Sequence, residues 1–120
     1  MIQHVTLELR REDAAAEARF WELLGFVPVE PPQGVAGRSL WVEHAGTQVH
    51  LAYAATPEIP ADAHVAVVAG DYDEVIARLL AAGHPVEPRT EHWGAARSYT
   101  RSPAGHRVEV MAVPPPASAA

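Results

Sequence analysis

Four residues combine the side-chain types and the placement needed to hold a divalent metal ion: His4, His50, His64 and Glu109. In "QVHLAY" (48–53) and "RVEVMA" (107–112), Val49, Leu51, Val108 and Val110 alternate with His50 and Glu109. A strand sends successive side chains to opposite faces, so one face of each segment is apolar and the other carries a ligand. The earlier segments "QHVTLELR" (3–10) and "HVAVVA" (64–69) obey the same parity, with His4, Thr6 and Glu8 opposite Val5, Leu7 and Leu9, and His64 opposite its apolar set. Three imidazoles and a carboxylate suit one ion of zinc, iron, nickel, cobalt or manganese, and His4, His64 and Glu109 alone match the ligand count of a facial triad. A lone histidine on an open strand face is more often a hydrogen-bonded surface group. Four at matched positions favour a metal centre.

The matching comes from an internal duplication. "PVEP" occurs at 28–31 and again at 85–88, and "RSLWVEHAGTQVHLAY" from Arg38 overlays "RSYTRSPAGHRVEVMA" from Arg97 without a gap, with five of sixteen residues identical. The numbering offsets are 60 for His4/His64, 57 for the PVEP pair and 59 for Arg38/Arg97, near-constant with slips that loops absorb. A unit of roughly 55 to 60 residues is therefore used twice.

Each unit reads β-α-β-β-β. The first strand leads to a helix from Asp13 to Leu24, stopped by Gly25, with Phe20, Leu23 and Leu24 facing a core. In the second copy, Asp71 and Glu74 have capping-box spacing, Val75, Ile76, Leu79 and Leu80 form the apolar stripe, and Gly83 ends the helix. Each PVEP marks an edge strand, and "HAGT" and "PAGH" turn the last two strands into a hairpin. Trp21 and Trp41 are expected between helix and sheet. His44, His84, His92 and His106 fall at turns or loops and are expected in solvent, with His92 nearest a pocket. The fold class is α+β: one domain of two βαβββ modules, 1–54 and 63–113, joined by a linker at 55–62 and followed by a flexible tail at 114–120.

Composition narrows the chemistry further. The 120 residues contain no cysteine and no lysine, which removes disulfides, thiolate nucleophiles, Schiff bases and a P-loop lysine. A net charge of −6 with scattered arginines argues against nucleic acid. No apolar run approaches the ~20 residues that span a bilayer, and the first residues lack a signal-peptide pattern, so a cytoplasmic protein without membrane contact is expected.

The segments "IQHVTLEL", "FWELLGF", "VHLAY", "AHVAVV", "HWGAARSY" and "SPAGHRVEV" resemble the vicinal oxygen chelate superfamily, which holds glyoxalase I, methylmalonyl-CoA epimerase, extradiol dioxygenases, fosfomycin-resistance transferases and bleomycin-resistance proteins. The resemblance runs from Ile2 to Val113 and implies paired βαβββ modules, each a curled mixed sheet, around a central cleft. It implies His4, His50, His64 and Glu109 as ligands of one divalent metal, with Glu109 also catalytic as a general base. Thr6, Tyr99, Arg107 and Trp93 are then expected to contact substrate. The implied function is a metal-dependent lyase, isomerase, epimerase or dioxygenase acting on a small molecule that chelates the ion through adjacent oxygens. His50 stands where glyoxalase I and the epimerase usually have Glu or Gln, and "SPAG" at 102–105 replaces the frequent "DPDG" turn. Relatives of this size commonly form homodimers with sites shared between subunits. The rival expectation is a metal-free dimer that binds a small molecule or antibiotic, as the bleomycin-resistance branch does.

Overall fold

The computed structural model describes residues 1–117. The chain divides into two compact units, Met1–Ile59 and Pro60–Ala120. In the first, β1 (His4–Leu9) leads through a 3-10 turn (Arg11–Asp13) into α1 (Ala14–Leu23), then β2 (Val27–Val29), β3 (Ser39–His44) and β4 (Thr47–Tyr53). In the second, β5 (Val65–Val68) leads into α2 (Tyr72–Ala81), then β6 (Val86–Pro88), β7 (Arg97–Arg101) and β8 (Arg107–Met111). The strand orders are β1-β4-β3-β2 and β5-β8-β7-β6, so both units have one topology. The fold is α+β with two four-stranded mixed sheets, each pairing its first strand parallel to its last and the other neighbours antiparallel. No helix among the described residues is long and apolar enough to cross a membrane.

Alternation builds each core on the helix side of its sheet. Leu9, Val42, Val49 and Leu51 are buried against Phe20, Trp21, Leu24 and Phe26 in the first unit. Val108 and Val110 are buried in the second, as are Val75 and Leu79 of α2. Each such side chain contributes about 1.5–3 kcal/mol by leaving water. The first core also holds the Glu17 carboxylate, fully buried, which accepts a hydrogen bond from the Trp21 indole at 3.2 Å. β2 and β6, the PVEP segments, lie at the sheet edges, where prolines leave no ladder bond unmade.

Several local expectations are corrected. Asp71 makes no side-chain cap; its carboxylate instead takes the Arg78 guanidinium at 3.0 Å. Leu80 is exposed rather than in the α2 stripe, because Val75 and Leu79 fill the narrow contact that a ten-residue helix offers. His106 is buried, folded under its turn with its backbone N–H on Ser102 Oγ at 3.1 Å. Trp41 does not pack against the helix, since β3 turns Leu40 and Val42 that way and Trp41 the other. The gap-free hairpin overlay also fails. The first hairpin turns through Ala45 and Gly46 alone, both at positive φ, whereas five residues separate Arg101 from Arg107. Trp41 pairs with His50 and Tyr99 with Glu109, so the offset is 58 on β3/β7 and 59 on β4/β8, and Arg97 corresponds to Ser39, not Arg38. Of the tail expected at 114–120, residues 118–120 lie outside the described residues.

Gly25 and Gly83 end the two helices at φ +93° and +86°. A Cβ on Gly25 would lie 3.3 Å from the His44 ring, whereas one on Gly83 meets nothing within 4 Å. A side chain in this left-handed region costs about 1–2 kcal/mol. Gly83→Ala should therefore lower thermal stability by that backbone cost alone, and Gly25→Ala by more, because the ring must also give way. Equal losses in thermal denaturation would contradict the His44 contact.

Candidate functional site

On the face of the first sheet away from α1, the register places Thr6 beside His50 on β1 and β4, and Trp41 beside His50 on β4 and β3. The rings stack in a row: Trp41 and His50 have centroids 3.7 Å apart at 3°, and His50 and His4 are 4.1 Å apart at 16°. Hydrogen bonds select which nitrogen of each ring is bare. Gln48 donates its amide N–H to Glu43 Oε1 at 2.9 Å, so its Oε1 accepts from His50 Nε2–H at 2.8 Å and His50 Nδ1 is left bare. His4 donates Nδ1–H to Gln3 Oε1 at 2.7 Å, leaving Nε2 bare.

The His50 imidazole is held below its usual 6.5, first by burial and second by the His4 ring beside it. Beside the stack, Thr6, Val35, Arg38, Trp41, His50 and Tyr53 border a cavity of about 320 Å³.

The second sheet carries the equivalent row with different chemistry. Glu109 lies beside Ala66 on β5 and Tyr99 on β7. Glu109 is only 6% exposed, and its carboxylate is not solitary: Oε2 accepts from Arg97 Nε at 2.7 Å, and Oε1 is hydrogen-bonded to His64 Nε2 at 3.2 Å. His64 donates Nδ1–H to the Asp62 carbonyl oxygen at 2.8 Å and turns Nε2 to Glu109 Oε1, so both of its ring nitrogens meet oxygen acceptors. Arg97 also donates to the Thr90 carbonyl oxygen at 2.8 Å, and the Glu109 carboxylate raises the guanidinium above its usual range. Tyr99 lies 5.2 Å from the His64 ring, with Arg107 over its face at 4.5 Å. Arg107 also reaches Asp62 Oδ1 at 3.4 Å. Trp93 is tied by its indole N–H to the Val113 carbonyl oxygen at 3.0 Å, with the Arg97 guanidinium 5.9 Å from its ring. His92 is exposed.

The structure thus brings His4 to His50 and His64 to Glu109. Among the described residues, no three His, Cys, Asp or Glu side chains gather as a metal-holding group. Sequence reasoning missed Arg97, Trp41 and Gln48. Parity counted from Tyr99 along β7 would have put Arg97 on the Glu109 face, and parity from His50 would have done the same for Gln48.

This pair of four-stranded sheets with parallel first and last strands is that of glyoxalase-fold proteins. It superposes on a protein assigned to the glyoxalase family from Bacillus anthracis with TM-score 0.83, at 23% identity over 92% of this chain and 93% of that one. Lactoylglutathione lyase from Agrobacterium tumefaciens gives TM-score 0.70 at 24% identity, covering 92% of each chain. An oxidase gives 0.73 at 22% identity, over 95% of this chain and 94% of that one. No curated protein matches the sequence. The chain belongs to the glyoxalase-like domain family, whose model matches residues 4–111, and with it to the vicinal oxygen chelate superfamily.

With its pKa depressed, His50 should titrate below 6.5 in a chelator-treated sample followed by histidine proton NMR. His4→Ala removes the second cause, so the midpoint should move part of the way back up. The unfolded chain binds the proton first, so stability falls with pH from about 6.5 downward until His50 itself is protonated. His50→Gln should flatten that slope, and an unchanged slope would contradict the assignment.

Proposed function

We propose that the protein is a metal-dependent enzyme of the glyoxalase type, in which His4, His50, His64 and Glu109 hold one divalent ion. One observation carries this reading: each of the three imidazoles gives one N–H to an acceptor outside the ligand set, leaving the other nitrogen bare in His4 and His50 and turned to Glu109 in His64. Metal-ligating histidines almost always show this arrangement, because the outer hydrogen bond fixes the tautomer and strengthens the donor. His64 Nε2 and Glu109 Oε1 also lie 3.2 Å apart, a hydrogen-bonded pair whose shared proton a cation would replace. The donor set of nitrogens and one carboxylate oxygen suits zinc, iron(II), nickel, cobalt or manganese. Such an ion would supply Lewis acidity to a substrate offering two adjacent oxygens.

The chain's own residues do the rest. Arg97 fixes one oxygen of Glu109, and the other, shared with His64, is the one that would ligate or accept a proton from substrate carbon and return it, as an isomerase, epimerase or lyase requires. Thr6 lies beside His50, and Tyr99 beside Glu109, where each can hydrogen-bond a substrate oxygen. Arg107, spread over Tyr99, adds positive charge for an anionic substrate, and Trp93 shields the Arg97 end. His4 and His50 lie nearly parallel, so their lone pairs converge on a common ion only after one ring turns out of the stack.

A second reading, a metal-free small-molecule binder, is favoured by Arg97: the guanidinium already balances the Glu109 charge that a cation would use. Metal loading separates the two. Protein purified without chelator should carry about one divalent ion per chain by elemental analysis, and His64→Ala should abolish tight binding. Substoichiometric metal, unchanged in the variant, would replace the enzyme with the binder.

The protein is further proposed to be a cytoplasmic homodimer in which one subunit supplies His4 and His50 and the other His64 and Glu109, the commonest oligomer symmetry being two-fold. His4→Ala and Glu109→Ala chains, mixed and refolded, should then recover one intact metal site per heterodimer. Recovery of none would place each site within a single chain.

A further inference from the structure

We infer that the substrate of this site is a small planar anion, an aromatic or conjugated carboxylate, whose flat body lies against Trp41 and Tyr53 and whose charge is met by Arg38. The inference rests on the proposed site, because the cavity it uses borders His50, but not on the metal. Four features of the first unit carry it.

The cavity of about 320 Å³ is of small-ligand size and has two aromatic walls, Trp41 and Tyr53. Trp41 is half-buried and already stacks one flat group, the His50 ring, at 3.7 Å and 3°. β3 therefore holds the indole in an orientation that presents a ring face rather than an edge.

Second, Arg38 lies at the rim with its charge unspent. Its guanidinium makes one long hydrogen bond, 3.3 Å to the Gly34 carbonyl oxygen, and no ion pair among the described residues. In a chain of net charge −6, a cation left without a carboxylate partner beside an aromatic cavity is a recognition group for an anion.

Third, the rim is built rather than loose. The Arg38 carbonyl oxygen accepts from the Tyr53 backbone N–H at 2.9 Å, and Ser39 Oγ donates to the Val35 carbonyl oxygen at 3.3 Å. Arg11 donates to the Gly37 carbonyl oxygen at 2.6 Å while its guanidinium covers the Tyr53 ring at 4.4 Å. The Arg38 backbone is thus anchored, so on binding only its exposed side chain has to be ordered.

Fourth, two carboxylates on the same face are engaged elsewhere: Glu8, whose register partner Ala52 borders the cavity, accepts the Glu58 backbone N–H at 2.8 Å, and Glu43 accepts the Gln48 amide at 2.9 Å.

The test uses full-length, chelator-treated protein and three probes: benzoate, its neutral isostere benzamide, and cyclohexanecarboxylate, an anion without a flat ring. The readout is the Trp41 indole N–H resonance in a nitrogen–proton NMR spectrum, assigned with Trp41→Phe. Benzoate should shift it saturably and bind more tightly than either other probe. Arg38→Met should weaken benzoate by about fivefold and leave benzamide unchanged, the size of effect one exposed charge-assisted bond supplies. Arg38→Lys should recover part of the loss. Arg38 is exposed, so the variants are expected to fold, and an otherwise unchanged spectrum checks this. Absence of saturable binding by benzoate, benzamide binding equally well, or an Arg38→Met chain of unchanged affinity would each overturn the anion. Cyclohexanecarboxylate equal to benzoate would overturn the planar class. Because no metal is present, failure here is distinct from failure of the metal reading, which elemental analysis decides.

Discussion

The parallel pairing of each unit's first strand with its last is the constraint on which both half-sites depend. Adjacent parallel strands cannot be joined by a tight turn, so the helix and two further strands must intervene. That connection delivers His4 and Thr6 alongside His50, and Ala66 alongside Glu109. Because side chains alternate, a slip of one residue would send His50 or Glu109 into the helix-packed core and Val49 or Val108 out of it. Burial of Val49, Leu51, Val108 and Val110 at 1% exposure or less therefore fixes the side on which the ligand-type residues emerge.

The two copies of the unit have solved the same register in different chemical ways. In the first, the position opposite His50 is Trp41, and three flat rings stack with a chain of polar bonds from Glu43 through Gln48 to His50. In the second, the position opposite Glu109 is Tyr99, and the buried carboxylate is held by Arg97. A carboxylate so little exposed is costly unless paired, so Arg97 is what allows Glu109 to sit at that depth. The first half-site is aromatic, whereas the second is ionic.

Much of this could be read from the sequence because duplication converts weak local signals into matched ones. The helix stops at Gly25 and Gly83, the edge placement of both PVEP segments and the shared face of His4 and His50 all follow from alternation and punctuation. The misreadings arose where tertiary context overrides pattern. Identical letters aligned Arg97 with Arg38, but the longer second hairpin shifts β7 by one residue, and one residue is the difference between the two faces of a strand. Trp41 was expected between helix and sheet, although its pairing with His50 puts it on the open face. Asp71 had the spacing of a cap, yet Arg78 competes for its carboxylate. His106 is buried because the five-residue turn folds back on itself, a closure that turn letters do not specify.

The central claim is that an outer hydrogen bond presets each candidate imidazole, leaving one nitrogen bare in His4 and His50 and turning the second nitrogen of His64 to Glu109. Long-range nitrogen–proton NMR of the histidine rings, on labelled metal-free protein at mildly alkaline pH, reads the tautomers directly. His4 should carry its proton on Nδ1 and His50 on Nε2, and His64 should hold a proton on Nδ1 toward the Asp62 carbonyl oxygen. Rapid averaging between tautomers at His4 and His50, or an unprotonated Nδ1 at His64, would contradict the account.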